Sequence, residues 1–173
     1  MATDSVVHQL AIRVGNRLRD ERLMLATAES CTGGLVAGAL TEIAGSSAVV
    51  LCGFVTYSNE AKQSMLGVPG EVLAAHGAVS RPTAEAMAEG ALAHSPAALS
   101  VAITGVAGPG GGSAEKPVGL VHFAAAARTG LRIARERRYG DISRTAVRHA
   151  SVLEALAMLE ELARLEPSGE LRD

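Results

Sequence analysis

Apolar residues recur along this chain with two alternating periods. Val7, Leu10, Val14 and Leu18 stand at i, i+3, i+7 and i+11 behind the cap candidates Thr3, Asp4 and Ser5. That spacing predicts an amphipathic opening helix, with Arg13, Arg17 and Arg22 on its wetter sides. Residues 24–28 form a short apolar run that halts at Glu29-Ser30-Cys31-Thr32-Gly33-Gly34, and helical spacing resumes over 35–43. The sequence therefore predicts a strand, a polar turn and a helix. Residues 48–57 are rich in Val, Leu, Phe and Tyr between turn-forming Ser, Gly and Asn, which predicts a buried strand. Helices are expected over 59–66 and 82–94, the second with Pro82 near its first turn.

A further buried strand is expected over 99–104, followed by a Gly/Pro-dense loop over 105–117. Residues 118–127 and 131–139 read as a strand pair turning at Arg128-Thr129-Gly130, which places an antiparallel member in the sheet. A long helix over 141–165 has Asp141 or Ser143 as its cap and a stripe of Ala146, Ala150, Leu153 and Ala157. Arg144 and Arg148 project away from that stripe, with Val152, Leu159 and Leu162 on their side, so the helix is apolar on two faces and a second chain is expected on one of them. Helices alternating with buried strands predict a three-layer α/β/α sandwich around a mixed sheet of about five strands. Residues 1–165 are expected to form one domain, and residues 166–173 a frayed tail.

Composition narrows the function. The chain has 173 residues, 48% of them hydrophobic, enough for one full core without disulfides or metals. Sixteen Lys and Arg against eighteen Asp and Glu give a net charge of −2, so no global positive field holds a polyanion. Two Tyr, two Phe and no Trp leave no platform on which to stack bases. Nucleic-acid binding is excluded as a principal role. No apolar run approaches the roughly 20 residues that span a bilayer, and the first residues lack a signal peptide's basic and apolar regions, so a cytoplasmic protein is expected. Cys31 and Cys52 make no Cys-x-x-Cys pair and are expected as reduced thiols. The five histidines show no metal-ligand spacing, and no metal or cofactor is implied.

Three segments carry candidate chemistry. The turn after the first strand puts Ser30 and Cys31 beside the free amides of a helix start, where an anion or oxyanion can bind. Ser30 is a candidate nucleophile and Cys31 a rival one; Ser30 or Thr32 would serve equally as a plain helix cap, and the flanking Ala28 and Thr32 depart from a Gly-x-Ser-x-Gly elbow. A serine needs a base, and arginine stays protonated. The only lysines are Lys62 and Lys116. Lys62 follows the strand ending at Tyr57, so Tyr57, Asn59 and Lys62 are a candidate cluster. The loop from Thr104 to Ser113 follows a buried strand and could cradle a phosphate on its backbone amides, although it is neither a Walker A motif nor a dinucleotide fingerprint.

Ala28-Glu29-Ser30-Cys31-Thr32-Gly33-Gly34, the segment from Gly53 through Tyr57 to Lys62, Gly77-Ala78-Val79-Ser80, and Thr104 to Gly112 with Lys116-Pro117-Val118-Gly119 closely resemble the CinA C-terminal domain family of nicotinamide-nucleotide amidohydrolases. The likeness runs from the opening helix to Arg144 and Arg148 with the motifs in the same order. It implies an α/β/α fold, homo-oligomers, and hydrolysis of the carboxamide of nicotinamide mononucleotide to nicotinate mononucleotide and ammonia in pyridine nucleotide salvage. The resemblance places the family's serine on Ser30 as nucleophile and its tyrosine and lysine on Tyr57 and Lys62. Lys62, or Tyr57 with its proton held by Lys62, would then be the base. The amides of Cys31, Thr32, Gly33 and Gly34 would hold the oxyanion. Asn59, Thr104, Gly105, Ala107, Gly108, Pro109, Gly110 and Arg144 or Arg148 would grip ribose and phosphate, with the arginine near a subunit contact. Many relatives carry a further N-terminal domain that this sequence does not show, and the segment around Ile142-Ser143 looks slightly longer than usual. The competing reading is a nucleotide- or partner-binding module of the same fold without turnover.

Overall fold

The computed structural model describes residues 5–166; the cap candidates Thr3 and Asp4 and the tail beyond Glu166 lie outside them. Eleven main elements follow one another as α1 (Ser5–Asp20), β1 (Leu25–Glu29), α2 (Leu35–Thr41), β2 (Val50–Val55), α3 (Asn59–Leu66), α4 (Gly70–His76), α5 (Arg81–Ala93), β3 (Leu99–Gly105), β4 (Leu120–Ala127), β5 (Arg132–Arg138) and α6 (Arg144–Leu165). The sheet order is β2-β1-β3-β4-β5. β1 runs parallel to β2 and β3, whereas β3, β4 and β5 pair antiparallel. The expected mixed five-stranded α/β/α sandwich is therefore the observed architecture.

The central strands are buried along nearly their whole length and mostly apolar because helices cover both faces. Val101, Ile103, Val121, Phe123 and Ala125 point to the layer of α1, α2 and α6. Ala26, Ala28, Ala102, Ala124 and Ala126 point to the layer of α3, α4 and α5. Alanine on that second face lets α5 lie close to the sheet. The closeness continues outward: a Cβ on Gly90 of α5 would collide with the Leu66 carbonyl of α3. That contact seats the helix that carries Lys62.

Four expectations change. β2 is an edge strand and only half-buried, because nothing pairs its outer side among the described residues. α4 was not anticipated; its seven residues are too few to show a helical period. In α6 the stripe of Ala146, Ala150, Leu153 and Ala157 is only half-buried, and the face with Val152, Leu159 and Leu162 enters the core against α1 and the sheet. Of the two apolar faces, the one beside the arginines is thus filled by this chain's own elements. Finally, Glu166 is buried and accepts a 2.8 Å hydrogen bond from the Thr129 hydroxyl, so the chain is anchored through that residue rather than frayed. Of the two proposed caps for α6, Ser143 serves, its Oγ accepting from the Ala146 amide at 3.2 Å.

Candidate active site

The carboxyl ends of the three parallel strands meet at one edge, Glu29 standing beside both Val55 and Ile103 in register. Ligands gather at such ends in open α/β sheets. Ser30, the residue after β1, is fixed by its amide, which donates to the Ile103 carbonyl at 2.9 Å. Its hydroxyl stands 3.0 Å from Lys62 Nζ.

Lys62 is only 1% exposed. Its Nζ donates to the Thr56 carbonyl at 2.9 Å and reaches the Tyr57 carbonyl at 3.5 Å. No carboxylate pairs with it among the described residues, and burial lowers its pKa below the ordinary lysine value. In the neutral form that burial favours, two N–H groups serve the two carbonyls, which can only accept, and the lone pair is free to face the Ser30 O–H. The arrangement can therefore draw a proton from Ser30.

Tyr57 takes another direction. Its phenol is 61% exposed and accepts a 2.9 Å hydrogen bond from Arg144, so only its carbonyl is presented to Lys62. The geometry offers no path for a Tyr57 proton held by Lys62. Cys31 is buried, and desolvation pushes its thiol up to about 11, which leaves almost no thiolate near neutrality. That environment argues against a thiol nucleophile.

A cavity of about 260 Å³ opens in front of the pair. Ser30, Cys31, Tyr57, Lys62, Thr104, Gly105, Ala107, Gly108, Gly110 and Arg144 line it, together with Ala78, Val79, Val106 and Gly111. Arg144 spans its mouth, donating to the Gly108 carbonyl at 2.9 Å as well as to Tyr57. Arg144 is the permanently charged side chain of the wall, so the field at the mouth favours an anion. Thr32, Gly33, Gly34, Asn59, Pro109 and Arg148 do not line the cavity. Asn59 is exposed on the first turn of α3, and Arg148 is directed onto main-chain carbonyls of the Ser30 turn. Among the described residues no group of three His, Cys, Asp or Glu side chains could hold a metal ion.

The wall at Ala78 and Val79 is built by side chains from elsewhere. Thr104 Oγ1 donates to the Ala78 carbonyl at 2.7 Å, Ser80 and Thr83 donate to that of Gly77, and Lys116 donates to that of His76. Glu29 was also missed as a site residue. Its buried carboxylate accepts from the Val36 and Ala37 amides at 2.8 and 3.2 Å, closing the first turn of α2 from within. The signal in the sequence is a carboxylate ending an apolar strand, with a helix start six residues on that lacks a side-chain cap.

The turn's amides are accordingly divided. Gly33 donates to the Ser30 carbonyl at 3.0 Å, while no backbone carbonyl takes the amides of Cys31, Thr32 or Gly34 among the described residues.

Fold and geometry together define an α/β/α protein with a buried serine–lysine pair at its strand ends. The chain belongs to the CinA C-terminal domain family, whose model matches residues 7–163. It is 52% identical to the nicotinamide-nucleotide amidohydrolase PncC of Escherichia coli strain K12 over 158 residues, 91% of this chain and 94% of that protein. It is 61% identical to a relative from Symbiobacterium thermophilum over 115 residues, 66% of this chain but only 27% of that protein. A CinA-like protein of Anaeromyxobacter dehalogenans is 51% identical over 90% of this chain and 36% of its own length. The crystal structure of the competence/damage inducible protein CihA from Agrobacterium tumefaciens superposes with a TM-score of 0.92 at 59% identity, covering 94% of this chain and 98% of that one.

Proposed function

We propose that this protein hydrolyses the carboxamide of nicotinamide mononucleotide to nicotinate mononucleotide and ammonia, in pyridine nucleotide salvage, with Ser30 as nucleophile and Lys62 as general base. The observation that carries the reading is the 3.0 Å approach of a buried lysine without a carboxylate partner to the Ser30 hydroxyl. Similarity to the nicotinamide-nucleotide amidohydrolase PncC over nearly that protein's whole length supports the choice of substrate.

In this mechanism Ser30 Oγ attacks the carboxamide carbon as its proton passes to Lys62 Nζ. The amides of Cys31 and Thr32 take the negative charge that builds on the carboxamide oxygen. Collapse breaks the C–N bond, and the Lys62 ammonium protonates the departing ammonia. An ester on Ser30 remains. Water attacks that ester with neutral Lys62 again as base, releasing the carboxylate and returning the proton to Ser30. Arg144 and the loop over 104–111 grip the ribose and phosphate, the anionic end of the substrate meeting the cationic mouth of the cavity.

The enzyme works in the cytoplasm as a homo-oligomer on this reading. Two observations support it: no helix among the described residues is long and apolar enough to cross a membrane, and the free edge of β2 is apolar. Val55 and Leu35 are 46% and 40% exposed beside that edge, whereas β5 carries Arg132, Arg135, Arg137 and Arg138. A second copy is the natural cover for an unguarded edge. Ammonia release from nicotinamide mononucleotide by wild type and Ser30→Ala, with free nicotinamide as control, tests the activity. Release from the mononucleotide alone, lost in the variant, is the expected outcome; undiminished release by Ser30→Ala removes the nucleophile.

A further inference from the structure

α6 presents two arginines one turn apart, and the structure separates their work. Arg144 lines the cavity, where a substrate can reach it. Arg148 is half-buried outside the cavity wall, and among the described residues no carboxylate pairs with it. Its Nε donates to the Cys31 carbonyl at 3.1 Å, and a terminal nitrogen lies 3.3 Å from the Thr32 carbonyl. An arginine without a carboxylate partner is thus committed to two consecutive carbonyls of the turn that carries Ser30.

Those carbonyls belong to peptide groups whose other ends matter to the chemistry. The Cys31 carbonyl and the Thr32 N–H share one planar, trans peptide, so fixing one end fixes the direction of the other. A cation at the carbonyl also draws electron density from the N–H and makes it a stronger donor. The Thr32 amide is one of three in the turn that no backbone carbonyl takes among the described residues. The neighbouring source of donors is closed, because the Glu29 carboxylate occupies the Val36 and Ala37 amides in the first turn of α2. The turn's own open amides are therefore the donors nearest in the chain to an oxyanion formed at Ser30.

We propose that Arg148 is a positioning residue for the oxyanion site: it holds and polarises the Cys31–Thr32 peptide and never touches the substrate. The proposal rests on the reading of Ser30 as nucleophile and deepens it. It separates the two arginines by what their loss does, since Arg144 acts on substrate binding and Arg148 on the step in which charge builds.

The experiment compares wild type, Arg148→Lys and Arg148→Met in steady-state hydrolysis of nicotinamide mononucleotide and in the rate at which a fluorophosphonate labels Ser30. The probe builds a tetrahedral adduct on the serine, so it reads the oxyanion site without the nucleotide. Removing a direct oxyanion donor costs roughly 10²–10³ in kcat, and an indirect one is expected to cost about 10–100-fold. Arg148→Met is expected to lower kcat and the labelling rate together by that factor with KM within about threefold, and Arg148→Lys, which keeps one donor, to fall between. A raised KM with kcat and labelling retained would make Arg148 a substrate ligand and overturn the proposal. Lower thermal stability with labelling unchanged would make it a strut and also overturn it. Should Arg148→Met fail to fold, Arg148→Lys carries the comparison. If wild type labels at Ser30 but releases no ammonia, the substrate reading fails, and the labelling rates still decide the role of Arg148.

Discussion

The backbone of Gly90 in α5 meets the Leu66 carbonyl at the end of α3 with no room for a side chain between them. Leu66 lies one helical turn beyond Lys62, so this contact sets how deeply the lysine is driven toward Ser30. Gly90→Ala forces the two helices apart. Overpacking of this kind costs roughly 1–3 kcal/mol. We expect a loss of that size in urea unfolding, and an activity loss that persists under conditions where the variant is fully folded. Full activity in folded Gly90→Ala would show that the seating of α3 does not control the Ser30–Lys62 distance.

The lowered pKa of Lys62 gives two pH dependences of known sign. On the proposed mechanism its neutral form is the base, so kcat/KM is expected to rise with pH through the lowered value, and an arginine in its place, protonated throughout, to abolish turnover. For stability, the native pKa lies below that of the unfolded chain. Between the native value and the ordinary one near 10.4, the unfolded state holds a proton that the native state lacks, so stability climbs with pH across that window and levels off above it. Lys62→Met removes this dependence. The difference in unfolding free energy between wild type and Lys62→Met should therefore grow in favour of wild type as pH rises through the window; a flat difference would mean that Lys62 titrates normally in the fold.

Glu29 links the end of β1 to the start of α2, and its charge is held by two amides in a site with no exposure. Glu29→Gln keeps the shape but turns an NH₂ toward one of those amides, leaving a buried donor unmatched. The expected cost is about 1–3 kcal/mol. Because α2 is anchored at the same turn as Ser30, kcat should fall with it. Chemical denaturation and steady-state kinetics on the one variant check both; unchanged stability would mean that the Val36 and Ala37 amides find another acceptor.

Much of this arrangement was visible in the order of residues, and what was not has identifiable physical causes. Strands β1, β3 and β4 announce themselves because both faces are covered and most positions are apolar. The depth of β2 was misread since its composition matches theirs and only the sheet order makes it an edge. Ser30 and Lys62 stood out as candidates from residue type and the scarcity of lysine, and only the family resemblance joined them as a pair. Their distance was not legible, because it depends on how α3 packs on α5 some twenty residues later. Arg148 shows the same limit: spacing put it on the face of α6 that carries Arg144, but one turn of rise separates an arginine that reaches the cavity from one that reaches the backbone.

Tyr57 and Lys62 make the sharpest test of which group takes the Ser30 proton. Both lie at the cavity, yet the phenol is turned outward to Arg144, and Lys62 touches only the tyrosine's carbonyl, which any residue would supply. Tyr57→Phe therefore leaves the Ser30–Lys62 contact in place and removes one acceptor from Arg144. The guanidinium keeps its bond to Gly108, so KM should rise several-fold while kcat stays within about tenfold and the acidic limb of the pH profile does not move. Lys62→Met, by contrast, should lower kcat by at least the 10²–10⁴ typical of a missing general base. Equal collapse of kcat in the two variants, with the acidic limb lost in Tyr57→Phe, would return the tyrosine to the role of base and require its side chain to swing inward when substrate binds.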